Sequence, residues 1–112
     1  MKNSQSLKKN ADFQLVYKTG KSFANKYLVM YVKENGLEYN RIGISVSKKV
    51  GNSVVRHRLK RLIKESYRLQ EDMFNSSLDM VIIARTTAKD RTYEELSQAV
   101  LHLGKLHRII GN

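Results

Sequence analysis

The 112-residue sequence predicts a small α+β protein, a two-layer sandwich with elements in the order α-β-β-α-β-α. Three stretches predict it. Residues 41–47 alternate apolar with small or polar side chains, residues 78–84 form a short unbroken apolar run, and residues 51–71 repeat apolar residues at helical spacing. The length fits one domain over residues 1–112, with residues 1–9 expected to be a flexible basic arm.

Asn10 is placed to cap a short helix over residues 11–18, with Phe13, Val16 and Tyr17 on one face and Gly20 as its stop. A β-hairpin is expected next. Lys26 to Lys33 is rich in β-branched and aromatic residues, Asn35-Gly36 reads as a two-residue turn, and Arg41 to Ser47 supplies the second strand. Ile42, Ile44 and Val46 should face the core. Arg41, Gly43, Ser45 and Ser47 then leave the other face low and approachable. Gly51-Asn52 opens a helix running to about Glu71, whose wheel gathers Val55, Leu59, Leu62, Ile63, Ser66 and Leu69 into one arc roughly 120° wide. Leu78 to Ala84 reads as a buried strand. Thr92 to Glu95 has capping-box spacing, and Leu96, Val100, Leu103, Leu106, His107 and Ile110 continue a helical stripe behind it.

Charge is the strongest compositional fact: 21 Lys and Arg stand against 10 Asp and Glu, a net +11. Segments 1–33 and 48–68 carry +6 and +7 while 34–47 and 69–112 carry −1 each, so the excess is localised. A polyanion is the natural partner. No apolar run reaches the roughly 18 residues of a membrane span, and no leader pattern opens the chain, so a membrane partner is not expected and a cytoplasmic location is. The absence of cysteine excludes disulfides, thiolate metal sites and thiol nucleophiles.

Protein-borne catalysis finds little support. His57, His102 and His107 have no partner at metal-ligand spacing, and His102 and His107 read as ordinary helix-surface residues. Asp79, Asp90 and the Glu94-Glu95 pair are the only carboxylates for a metal-dependent nuclease, and Glu94-Glu95 already has a capping role. The glycines form no phosphate-binding loop or dinucleotide fingerprint, so no small-molecule cofactor is indicated.

The positive signal is Lys48 to Arg68. Lys48 and Lys49 precede a helix start whose free N–H groups favour phosphate, and Arg56, His57, Lys60, Arg61, Lys64 and Arg68 form a stripe opposite the core, with Arg58 on its shoulder. Glu65 is the one acid among eight basic residues, too few to pair that charge internally.

Residues 51–61, GNSVVRHRLKR, also resemble the arginine-rich motif of the bacterial ribonuclease P protein subunit. The resemblance extends to Leu7-Lys8-Lys9 with Asp12-Phe13, to Arg41-Ile42-Gly43 with Val46-Ser47-Lys48-Lys49, and to Ile82-Ile83-Ala84-Arg85. One departure is His57, where the family usually has Asn.

What the resemblance implies is an accessory subunit, itself inactive, of an enzyme whose catalytic RNA removes the 5′ leader of precursor tRNA with Mg²⁺. On this chain it places Arg56, His57, Arg58, Lys60, Arg61, Lys64 and Arg68 on the catalytic RNA. Phe13, Tyr17 and Tyr31 become a leader-binding cleft, with Lys48, Lys49 and Asn52 at its rim. By pattern alone those three rings read as core packing. No metal or other cofactor is expected on the protein itself. The resemblance also implies a left-handed strand-helix-strand crossover, like the second domain of the fifth small-subunit ribosomal protein, where general rules would give a right-handed one. A free-standing RNA-binding or ribosome-associated protein would share every basic residue, and a protein-only nuclease would rely on Asp79 and Asp90.

Overall fold

The computed structural model describes residues 3–111. Among these residues one five-stranded mixed sheet carries three α-helices: β1 (Ser4–Ser6), α1 (Asn10–Thr19), β2 (Lys21–Ala24), β3 (Leu28–Glu34), β4 (Asn40–Ser45), α2 (Ser53–Gln70), β5 (Leu78–Ala84) and α3 (Tyr93–Leu106). The α+β class and the predicted elements are present, with two short strands added.

The sheet order is β1-β4-β5-β3-β2. β5 therefore lies between β3 and β4, running antiparallel to the first and parallel to the second, and the expected hairpin does not form. The reason lies in β5 itself. Leu78, Asp79, Met80, Val81, Ile82 and Ala84 are all buried, so the strand needs cover on both faces and pairing along both edges. Asn35 and Gly36 still turn the chain, Gly36 at φ +71°. The turn is a wide arch, in which Asn35 Oδ1 accepts from Leu37 N–H at 2.7 Å and Asn35 Nδ2 donates to Tyr39 O at 3.1 Å.

One face of the sheet presents Leu28, Met30, Ile42, Met80 and Ile82 to α2 and α3, where Leu59, Ile63, Tyr67, Leu96, Val100 and Leu103 complete the main core. On the other face, Val81 packs with Leu7 and Val16 beneath Phe13, Tyr17, Tyr31 and Ile83. Helix α1 thus covers the second face, and the sheet is flanked on both sides.

Several local expectations change. Asn10 is the first residue of α1, Lys9 stands at the cap without a side-chain bond, and Gly20 N–H closes the far end on Val16 O. On α2 the buried stripe is rotated toward Tyr67, which is fully buried, while Leu69 is 59% exposed. Tyr67 is drawn in because its hydroxyl meets Ser4 Oγ at 2.8 Å and Asn40 Nδ2 at 3.2 Å. That node also pins β1, so residues 4–6 of the expected flexible arm pair with β4 instead, and Leu7 is buried. Met1 and Lys2 lie outside the described residues. His107 is half-buried at the end of α3, where its Nε2–H donates to Met30 O at 2.8 Å beside Phe23. Burial holds its pKa below the ordinary histidine value. The capping box of α3 forms as expected, Thr92 and Glu95 satisfying each other's backbone N–H.

Asp79 is the one charge in β5, and it is saturated. Arg41 Nε and Nη2 donate to its two oxygens at 2.8 and 2.7 Å, and Asn35 Nδ2 adds a third bond at 3.0 Å. Arg41 also reaches Asp12 of α1 at 3.6 Å. Burial pushes the Asp79 pKa up, but the hydrogen bonds from Arg41 and Asn35 outweigh it, and the net shift is downward. A depressed carboxylate pKa contributes stability that is present above the unfolded value and is lost as pH falls through the folded value. Asp79→Asn should therefore cost about 3 kcal/mol at neutral pH, near the low end for a broken buried pair. It should also flatten the acid limb of a stability-versus-pH curve below about pH 4, as denaturant midpoints across pH would record.

Candidate nucleic-acid interface

The capacity of α2 to present cations begins at its first turn. Asn52 Oδ1 accepts from Val55 N–H at 3.0 Å, fixing the start of the helix and so the rotation of every residue after it. With Leu59 and Ile63 fully buried, His57, Lys60, Arg61 and Lys64 must point outward, and all four are exposed.

The structure divides the seven predicted RNA contacts on this helix into two groups. Arg56 Nη1 donates to Gly51 O at 2.9 Å. Arg58 reaches from α2 to the segment before α3, donating to Arg91 O at 3.0 Å and Lys89 O at 3.4 Å. Arg68 pairs with Glu65 one turn earlier, and its hydrogen bond holds the Glu65 pKa below the usual carboxylate range. His57, Lys60, Arg61 and Lys64 have no hydrogen bond or ion pair to any described residue.

Those four residues form one wall of a hollow of 430 Å³ whose other side is Ser6, Leu7, Phe13, Ile42 and Ile44. A second hollow of 420 Å³ shares Phe13, Ile44 and Lys60 and continues past Lys8, Asn10, Gln14, Tyr17, Ser45 and Val46. Together they make a groove between α1 and α2. The groove exists because β1 is short. It pairs with Asn40, Arg41 and Ile42 only, which leaves the edge of β4 open over Gly43, Ile44 and Ser45. Gly43 leaves room for Phe13 at this point, since a Cβ there would lie 2.5 Å from the tip of the ring and displace it.

Phe13, Tyr17 and Tyr31 form a row along the second face, with ring centroids 6.4 Å apart for the first pair and 5.1 Å, edge to face, for the second. Each is half-buried, so the row is part of the packing beneath α1 and still reaches solvent. Phe13 and Tyr17 line the groove, whereas Tyr31 does not. Lys48 and Lys49 are exposed in the turn after β4, beyond the residues that line either hollow, and Asn52 beside them is engaged as the cap of α2.

Sequence alternation marks Ile42 and Ile44 purely as core, and Leu7 falls within the expected flexible arm. Their place in the groove depends on how far β1 extends along β4, which no periodicity in the sequence encodes. Asp79, one of the two carboxylates on which a protein-only nuclease would rely, is occupied by Arg41 and Asn35.

Comparison with known proteins gives a consistent result. Residues 1–107 match the family model described as Ribonuclease P. The chain is 63% identical to the ribonuclease P protein component of Lachnoclostridium phytofermentans, over 97% of this chain and 94% of that protein. Identity to the Alkaliphilus metalliredigens protein of the same name is 56%, over 98% and 99%. The RNase P protein structure from Staphylococcus aureus superposes with a TM-score of 0.87 at 39% identity, covering 95% of this chain and 97% of that one. The Thermotoga maritima structure gives 0.84 at 33%, covering 95% and 98%.

The split among the cations has a measurable consequence. Removing the Arg58 guanidinium frees two backbone carbonyls, so Arg58→Ala should lower stability by about 1 to 2 kcal/mol. Lys64→Ala, which breaks no bond to a described residue, should stay within about 0.5 kcal/mol of the parent. Thermal melts of the two variants make the comparison.

Proposed function

Because the chain belongs to the ribonuclease P protein family and is the protein subunit of that precursor-tRNA-cleaving ribonucleoprotein, we propose that α2 seats it on the catalytic RNA while the aromatic row contacts the 5′ leader. The observation that carries the reading is the unpartnered wall of His57, Lys60, Arg61 and Lys64. Four adjacent basic side chains without internal acids are a stable arrangement when an external polyanion supplies the counter-charge. Arg56 and Arg58 add to the field of this wall with part of their hydrogen-bonding capacity already committed, while the charge of Arg68 is offset by Glu65.

On this reading the polypeptide contributes binding and orientation, and the RNA contributes the chemistry. Hydrolysis of a phosphodiester next to a polyanionic RNA needs the metal near the scissile phosphate. On this reading the Mg²⁺ of the holoenzyme resides with the RNA, whose own phosphates supply oxygen ligands of the kind that ion prefers. The leader would run from the Phe13 and Tyr17 side of the groove across Tyr31 toward Lys48, Lys49 and Asn52. Half-exposed rings suit it, since every base has a face that can stack. No described helix is long and apolar enough to cross a membrane, and we place the protein in the cytoplasm with its RNA partners.

Two measurements test the reading. Lys60→Ala, Arg61→Ala and Lys64→Ala should each weaken binding to the catalytic RNA and reduce the salt slope by about 1. A triple variant with parental affinity and slope would remove α2 from the interface. His57→Asn should be tolerated. For the leader, a holoenzyme carrying Tyr31→Ala should lose affinity for precursor tRNA by about 1 to 3 kcal/mol yet bind mature tRNA unchanged. Equal effects on both substrates, with folding verified by a thermal melt, would return Tyr31 to a packing role.

A further inference from the structure

We propose that the hollow bounded by Leu7, Phe13, Ile42 and Ile44 receives one unstacked base of the catalytic RNA, with the flanking phosphates on Lys60, Arg61 and Lys64. The proposal rests on the reading that α2 faces that RNA, and it names what the groove beside α2 is for.

The hollow has two unlike sides, one apolar and one basic. A seat for phosphates alone has no use for an apolar floor, and an aliphatic ligand has no use for four basic residues on one wall. A nucleotide has both parts, a flat weakly polar base and a charged backbone. The volume of 430 Å³ lies within the usual range for small-ligand sites, about 300 to 1,000 Å³.

The sheet edge points the same way. The last bond joining β1 to β4 runs from Leu7 N–H to Ile42 O at 2.8 Å. Along a strand the direction of backbone hydrogen bonding alternates, so two residues on, Ile44 directs its N–H and C=O to the same outer side. No described backbone group meets them there. An adjacent donor and acceptor complements the Watson–Crick edge of any base, which carries one of each side by side. A peptide adding to the sheet is the competing occupant of an open edge. It would need a ladder of alternating bonds, and Ile44 is the single outward-directed residue of the uncovered Gly43–Ser45 segment.

The test uses the isotope-labelled full chain and nuclear magnetic resonance. Adenosine and uridine 5′-monophosphates are the probes, with ribose 5-phosphate as the baseless control. The nucleotides should shift the Ile44 amide and give contacts from base protons to the Leu7 and Ile44 methyl groups, whereas ribose 5-phosphate should move only Lys60, Arg61 and Lys64. Identical responses to nucleotide and control overturn the proposal, as do base contacts confined to Tyr17 and Tyr31. In a second arm, Ile44→Phe fills the hollow without removing a cation. It should weaken binding to the catalytic RNA by about tenfold at an unchanged salt slope. Parental affinity in a variant that melts normally overturns the base site while the salt slopes of the lysine variants still stand, so the two readings fail separately. Should Ile44→Phe not fold, the spectra of the parent protein decide.

Discussion

A strand that is apolar on both faces must be covered on both faces and paired along both edges, and β5 imposes this requirement on the rest of the molecule. It separates β3 from β4, turns the expected hairpin into an arch, brings α2 and α3 to one face and draws α1 to the other. The single carboxylate it carries, Asp79, would be intolerable in that position without a partner. Arg41 supplies it from the neighbouring strand and extends to Asp12 on α1, so one guanidinium ties together three elements.

Basic residues in this protein do two different kinds of work. Arg41, Arg56 and Arg58 hold carboxylates or carbonyls of the fold, using the several donors of a planar guanidinium. Lys60, Arg61 and Lys64 hold nothing within the described chain. A net charge of +11 therefore overstates the charge free to meet a partner. The unpaired cations are gathered on one wall of a groove, and that position suits them to a polyanion.

Much of this was legible in the sequence wherever the signal was local. Thr92 and Glu95 satisfy each other across one helical turn, Asn52 starts α2 as its position implies, and the apolar run at residues 78–84 is a buried strand. The failures are non-local. Asn35-Gly36 specifies a turn, but not whether its two strands will be neighbours. Tyr67 displaced Leu69 from the buried stripe because its hydroxyl found Ser4 and Asn40, residues distant in the chain. Ser4 to Ser6 lacks any strand pattern and pairs because that same tyrosine secures it. The basic stripe could be read directly; the groove beside it could not, because it is a space left by the early end of β1.

That early end has a consequence for the protein before it meets RNA. An uncovered strand edge is where a second copy of a chain can add its own strand, the first step toward aggregation. Lys8, Lys60, Arg61 and Lys64 stand around the open Gly43–Ser45 edge, so an approaching copy would bring a matching set of positive charges against them. The cations that suit the site to a polyanion thus also repel self-association while the site is empty. This protection is electrostatic and weakens as salt rises, so the protein is best kept from itself at low ionic strength or with its RNA in place.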